Sequence, residues 1–173
     1  MKRFVFSAIA LACVASACTS ETASSPSSEP KPTFSAELRA SNESPAITDA
    51  EATGGGNATV TFDLTRNAAG NVTAASATFV VNLSGFPPGT PIRIAHIHTG
   101  AAGVNGAIVV DTTLTPAENL TLANGSGSFT KTNQSADPSI VQSIIANPSA
   151  FYFNAHSVLH PGGVVRGQLA RVQ

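Results

Sequence analysis

The feature that most constrains this chain is a two-residue alternation of side-chain character that runs through it from Thr33 onward. Alternation of this period places successive side chains on opposite faces of a β-strand. Turn signals such as GGGN, GFPPGT and HPGG separate the alternating runs. The sequence therefore predicts strands over 33–40, 57–65, 72–85, 92–98, 106–112, 119–122, 127–132, 150–157 and 164–172.

Many short strands separated by tight turns predict an all-β fold, an antiparallel β-sandwich. One segment departs from the two-residue period. Asp137 is placed to cap a helix, Pro138 suits its first position, and apolar residues recur on one stripe until Pro148. We therefore expect one short helix near residues 138–146, packed over one end of the sandwich.

The N-terminal residues differ in composition from the rest. Lys2 and Arg3 precede 14 uncharged and mostly apolar residues, which is typical of an export signal and too short for a mature spanning helix. The small residues before Cys18 resemble a bacterial lipobox and predict a signal peptide over 1–17 with a lipidated Cys18. Ser, Pro and Glu dominate the next segment, so residues 18–32 are predicted to be a flexible tether and 33–173 the folded domain.

This N-terminus predicts an exported protein. We expect a cell-envelope lipoprotein held in a membrane through Cys18, in the outer membrane or facing the periplasm. Cleavage without lipidation is the alternative and would give a secreted protein. The other cysteine, Cys13, also lies in the signal, so the folded part is expected to hold neither a disulfide nor a thiolate site. A net charge of −1 and the lack of a basic run beyond Lys2-Arg3 exclude nucleic-acid binding.

Two of the four histidines stand one residue apart in PIRIAHIHTG, residues 91–100. Side chains two residues apart in a strand share a face, so the imidazoles of His96 and His98 can converge on one ion. The face predicted from this alternation carries Ile92, Ile94, His96 and His98.

The strand predicted over 150–157 supplies a third histidine. Its alternation places Tyr152, Asn154 and His156 on one face. If this strand lies beside the His-x-His strand or faces it, His156 completes a set of three imidazoles. His160, in the turn after this strand, is a possible extra ligand.

Three neutral imidazoles with an open position would suit zinc, copper or nickel, whereas calcium, magnesium and iron–sulfur clusters require other ligands. The alternative is that the rings are structural, hydrogen-bonded by backbone carbonyls or by Asn154 and Tyr152. Arg166, at mid-strand, is either solvated or buried against Glu43, Asp111 or a cluster of carbonyls. The sequence has no nucleophile elbow and no mature thiol, which favours binding over catalysis but leaves enzymatic activity open.

Three segments together closely resemble the CHRD domain, first recognised as a repeat in chordin and widespread in bacterial secreted proteins and lipoproteins. They are LRASNESPAI, AHIHTGAAGVNGAIVV and NPSAFYFNAHSVLHPGGVVRGQL. The likeness spans about residues 33 to 172, and Ser44 departs from the apolar residue usual at its position. The resemblance implies that motif positions are held by Asn42, Glu43, His96, His98, His156 and Arg166.

A fainter likeness is to copper–zinc superoxide dismutase, also a β-sandwich, in the order of a His-x-His strand, a later histidine, a Gly-rich turn and a C-terminal arginine. The chain lacks that enzyme's disulfide cysteines and its zinc-binding cluster. This likeness therefore implies a single copper site. The antiparallel β-sandwich expected from the strand pattern is superoxide dismutase-like or immunoglobulin-like in kind.

These observations predict an exported, lipid-anchored CHRD-domain protein that holds copper, or else zinc, through His96, His98 and His156. One alternative is a metal-free extracytoplasmic adhesion or protein-interaction module with structural histidines. Another is a mononuclear copper redox enzyme. The residues expected to support the site are Asn42, Glu43, Tyr152, Asn154 and Arg166.

Overall fold

The computed structural model describes residues 29–118 and 120–173. The predicted signal peptide, Cys18 and most of the tether lie outside these residues. Within them, ten strands form, at Thr33–Arg39 (β1), Gly55–Arg66 (β2), Val72–Ser84 (β3), Thr90–Thr99 (β4), Ile108–Asp111 (β5), Thr121–Leu122 (β6), Gly127–Ala136 (β7), Phe151–Ser157 (β8), Val165–Gln168 (β9) and Ala170–Arg171 (β10).

All strand pairs are antiparallel, in the order β5-β4-β8-β9-β1-β2-β3-β7, while β10 also pairs with β1 and β6 pairs with the start of β4. The sheet curls until its two edges approach. There the Thr113 hydroxyl donates to Gln134 Oε1 at 2.7 Å, and Lys131 Nζ donates to the Thr113 carbonyl at 3.2 Å. The predicted antiparallel β fold is thus confirmed, as one nearly closed sheet of sandwich- or barrel-like form.

The inside of this sheet is a continuous apolar core. Alternate residues of the long strands point into it, as the two-residue period predicts, and Phe79 packs on Phe153 with ring centroids 6.0 Å apart. Burial of these side chains supplies the main favourable free energy of folding. The core residues contributed by β1, β2 and β3 are Phe34, Ala36, Leu38, Ala58, Val60, Phe62, Ala77, Phe79, Val81 and Leu83.

The predicted helix is confirmed at Pro138–Ala146 (α1). Asp137 caps it, because its carboxylate accepts the backbone N–H groups of Ser139 and Ile140 at 2.8 and 3.2 Å. Val141 and Ile144 are buried, and the helix packs against β3. In the part of the chain that is described, no helix is long and apolar enough to cross a membrane.

A β-bulge in β4 changes the predicted face of one residue. Ile92 lies opposite Ser157 and Ile94 lies opposite His156, so Arg93 is the extra residue on β4. The bulge reverses the alternation, and Ile92 joins Ala95 in the apolar core. The prediction that Ile92 shares the histidine face is therefore wrong, whereas Ile94 does lie on that face.

Candidate metal centre

The sheet has a second buried face, which is polar. Every residue of β8 is buried, because the apolar core covers one side of this strand and loops cover the other. The loops are the β1–β2, β4–β5 and β8–β9 connections, which supply polar contacts to this face. Across β4, β8 and β9, the register aligns the rows Ile94–His156, His96–Asn154–Arg166 and His98–Tyr152–Gln168.

The structure brings the three predicted histidines together on this face. The ring centroid of His96 lies 4.6 Å from that of His98 and 4.5 Å from that of His156. One ring nitrogen from each residue lies within 4.8 Å of the other two. The three residues expose only 2%, 8% and 5% of their surface, respectively. This is a compact group of potential ligands with little access to solvent.

Hydrogen bonds orient two of these rings. His98 Nδ1 lies 2.9 Å from the Gly106 carbonyl oxygen, and His156 Nδ1 lies 2.9 Å from that of Pro161. A carbonyl oxygen can only accept, so each Nδ1 carries the proton and each Nε2 presents a lone pair. Among the described residues, the Nε2 atoms of all three histidines are buried without a hydrogen-bond partner. Backbone carbonyls therefore bind His98 and His156 at Nδ1, and the Nε2 atoms of all three rings remain available to an ion.

The site keeps its rings neutral. Burial, together with the positive charges that His156 and His98 would carry, lowers the pKa of His96 from its ordinary value of 6.5 to about 3. Burial also lowers the pKa of His98 and of His156, although their bonds to carbonyl oxygens oppose the shift. Neutral imidazole is the form that binds a metal, so protons compete weakly at this site.

Tyr152 holds His98 in place from one side. The two rings are stacked, with centroids 4.9 Å apart and planes 1° from parallel. The Gly106 N–H donates to Tyr152 Oη at 3.3 Å, so the residue whose carbonyl orients His98 is itself bonded to Tyr152. The Arg166 guanidinium lies over the Tyr152 ring, 4.7 Å from its centroid. Tyr152 thus joins the histidines to the arginine.

Arg166 is almost fully buried, and a cluster of oxygen acceptors binds it. Its Nε donates to the Asn42 carbonyl at 2.6 Å, and its Nη1 donates to Asn105 Oδ1 at 2.9 Å. Glu43 Oε2 lies 3.9 Å from Nε. Of the partners considered from the sequence, the carbonyl cluster and Glu43 are thus present. The prediction that Asp111 could pair with Arg166 is wrong, since the Asp111 carboxylate accepts the N–H of Thr113 at the edge of the sheet.

A cluster of buried polar groups lies beside the histidines, around Gly163. Burial raises the pKa of Glu43 to about 7, against the lowering effect of Arg166 and His160. Within the described residues, Glu43 Oε1, Asn154 Oδ1 and Arg166 Nη2 are buried without hydrogen-bond partners. A Cβ atom at Gly163 would lie 3.0 Å from Glu43 Oε1 and 2.5 Å from Asn154 Nδ2. A glycine there leaves room for these polar groups.

The structure directs His160, the possible extra ligand, away from the three-histidine group. Its Nε2 lies 3.0 Å from Asp49 Oδ2 and 3.7 Å from Glu51 Oε2. Its backbone N–H donates to the Ser157 hydroxyl at 2.9 Å, and that hydroxyl donates to Glu51 Oε2 at 2.6 Å. The backbone N–H of His160, rather than its ring, therefore holds the turn that presents the Pro161 carbonyl to His156. Its ring faces these two carboxylates, which lie in the connection between β1 and β2.

Gly106 and the Pro161 carbonyl are parts of the candidate site whose contacts with the histidines the sequence did not predict. Backbone carbonyls leave no mark in a sequence, and the only signal at Gly106 is its place in the turn GVNG. A Cβ atom at Gly106 would overlap the Thr99 carbonyl oxygen. Glycine at this position allows the β4–β5 loop to approach β4 closely enough to bind His98.

We expect Gly106→Ala to damage the site. The added methyl group forces the loop away from β4, so the protein should lose about 1–3 kcal/mol of stability and the His98 bond. Gly162→Ala is the matched control, because no described atom lies within 4 Å of a Cβ atom there. Urea unfolding should show a change below about 0.5 kcal/mol for this control. Equal stability of the two variants would contradict the proposed role of Gly106.

The metal-free protein should lose stability as the pH falls from 6.5 toward 3. The unfolded chain binds protons at histidines with ordinary pKa values, while the buried His96 of the folded state does not. The stability that neutral, buried His96 contributes is therefore fully present above the pKa of histidine in the unfolded chain, and it is lost as the pH falls below that value. Each such proton adds about 1.4 kcal/mol per pH unit to the slope. In chelator-treated protein, His96→Gln should reduce this slope by the contribution of about one proton. An unchanged slope would show that the pKa of His96 is not lowered in the folded protein.

Comparison with known proteins supports the likeness noted in the sequence. The CHRD domain family matches residues 34–169, which is most of the chain. The searches for similar curated proteins and for similar solved structures found no match to this chain. The matched range contains the histidine group, Arg166 and the loops that cover them. The chain belongs to the CHRD domain family.

Proposed function

We propose that this CHRD domain binds one transition-metal ion through His96, His98 and His156, as a binding or storage module. Copper is the first candidate and zinc the second. The observation that carries the proposal is the set of three buried Nε2 atoms that have no hydrogen-bond partner among the described residues. Leaving such atoms buried and unsatisfied costs about 1–3 kcal/mol each, and coordination of an ion would remove that cost.

The distances support binding of a single ion. Bonds from zinc to imidazole nitrogen measure about 2.0–2.1 Å, so three nitrogens around one ion stand about 3.3–3.6 Å apart. The ring nitrogens here lie within 4.8 Å of one another. Movements of about 1 Å, which small ring rotations can supply, would bring them into bonding range of one ion.

The donor atoms favour a transition metal. Imidazole suits copper, zinc, nickel and iron, while calcium and magnesium take oxygen ligands. In residues 29–118 and 120–173, no carboxylate joins the group of three histidines. The proposal is therefore a nitrogen-only site in which each ligand is neutral.

The alternative of purely structural histidines explains only part of the geometry. It accounts for His98 and His156 Nδ1, which bind carbonyl oxygens. It does not account for the three buried Nε2 atoms, which have no hydrogen-bond partner among the described residues. Burial of the Nε2 atoms also favours holding an ion over turning over a substrate, because a substrate would need to reach the ion.

Untagged protein should bind one copper or zinc ion per chain, measured by elemental mass spectrometry after dialysis. Loss of a residue that only supports a metal ligand typically lowers metal affinity by about 10- to 100-fold. Replacement of His96, His98 or His156 by Ala should lower the affinity by more than this, because a ligand itself is lost. His160→Ala is the matched control and should keep the stoichiometry, because its ring faces Asp49 and Glu51. Absence of metal, or unchanged binding in the His96→Ala, His98→Ala double variant, would refute the proposal and favour the metal-free module.

We further propose that the protein is exported and anchored in the cell envelope by a lipid on Cys18. The support is the sequence alone: a cationic start, an apolar stretch, small residues before Cys18 and a polar tether. A metal-binding domain on such a tether would remain at a membrane surface while sampling the surrounding compartment.

The anchor can be tested by mass spectrometry and membrane fractionation of the expressed full chain. The mature protein should begin at Cys18, carry acyl groups and sediment with membranes. Cys18→Ser should abolish acylation and release the domain into the soluble fraction. Cys13→Ser is the control, since Cys13 lies within the predicted signal, and it should leave acylation intact. An unacylated wild-type protein would contradict the anchor and favour secretion.

A further inference from the structure

We infer that the three-histidine site selects a monovalent ion, cuprous copper, over the divalent ions zinc and cupric copper. This inference rests on the proposed function, because it presumes that His96, His98 and His156 bind a metal. It is argued from the charge of the groups around the ring nitrogens and from the number of ligands they can supply.

The ligand set has no negative charge to offset that of an ion. All three ligands are neutral imidazoles, and no carboxylate of the described residues lies among them. The cost of burying an ion rises with the square of its charge, so a divalent ion costs about four times as much as a monovalent one. A closed, uncharged site therefore discriminates against divalent ions.

The charged groups next to the site do not correct this balance. Arg166 stacks on Tyr152, which stacks on His98, so a positive charge lies behind one ligand. Glu43 Oε2 lies 3.9 Å from Arg166 Nε, so this carboxylate faces the guanidinium and not the ring nitrogens. The carboxylates of Asp49 and Glu51 face His160. None of these carboxylates joins the group of ring nitrogens, so none binds the ion directly to compensate a second positive charge.

The number of ligands that the site can supply also favours cuprous copper over zinc. Zinc normally keeps four ligands, and a site with three protein ligands completes its set with water. The Nε2 atoms here are shielded from solvent, and His160 is held by other groups. Asn154, which lies opposite His96 on β8, has a neutral amide and brings no negative charge. Cuprous copper accepts three nitrogen ligands in a plane and needs no water.

The experiment is a pair of anaerobic competition titrations on the untagged protein. Copper reduced with ascorbate is titrated against bicinchoninate, and zinc against a chromogenic chelator, in the same buffer. We expect the dissociation constant for cuprous copper to be lower than that for zinc by about a thousandfold or more. X-ray absorption of the copper-loaded protein should show three nitrogen neighbours. Zinc binding as tight as cuprous copper would overturn the inference but not the proposed function. Failure to bind either ion would overturn the proposed function itself.

A pair of variants tests the role of charge. Ile94 lies opposite His156 and two residues before His96, and it is half-buried on the histidine face. Ile94→Glu adds a carboxylate there and should reduce the preference for cuprous copper by about tenfold or more. Ile94→Gln has the same shape without the charge and should leave the preference within about threefold of wild type.

Circular dichroism and thermal unfolding establish that both Ile94 variants fold. An equal preference in Ile94→Glu and Ile94→Gln would show that charge does not set the selectivity and would overturn the inference. Should Ile94→Glu fail to fold, the titrations on the unmodified protein still decide it.

Discussion

Antiparallel pairing of β4 with β8 is the constraint on which the site depends. Its register sets Ile94 opposite His156 and His98 opposite Tyr152, so a residue distant in sequence joins the His-x-His pair. A slip of one residue would exchange the two faces of a strand and turn its histidines into the apolar core. The bulge at Arg93 lets β4 satisfy two requirements at once, because Ile92 fills the core while Ile94 stays with the histidines.

The polar face is an interior built from loops. Carbonyl groups of Gly106 and Pro161 orient the rings, and those of the Asn42 region bind Arg166. Loop carbonyls can serve this purpose only if the chain approaches closely, which explains glycine at position 106, while glycine at position 163 leaves room for the side chains of Asn154 and Glu43. Proteins depart from local rules of stability mainly at functional sites, and three unsatisfied ring nitrogens side by side are such a departure.

One physical cause, removal of the rings from water, underlies both the acid–base behaviour and the proposed selectivity. Burial disfavours a proton on His96 for the same reason that it disfavours a doubly charged ion: neither charge is compensated by the surroundings. The charge of Arg166, which lies behind Tyr152 and His98, also lowers the pKa of His98 and opposes a doubly charged ion. A neutral nitrogen set with a cation behind it is suited to an ion of low charge that binds nitrogen well.

The sequence by itself determined the strands, the capped helix after Asp137 and the shared face of His96 and His98, because alternation and capping are properties of neighbouring residues. It also placed His156 on the same face as Tyr152 and Asn154. Only the tertiary structure decided that β8 lies beside β4, that Ile92 leaves the histidine face and that His160 turns to Asp49 and Glu51. The physical reason is that strand neighbours, bulges and loop carbonyls depend on packing between distant segments, which no local pattern encodes.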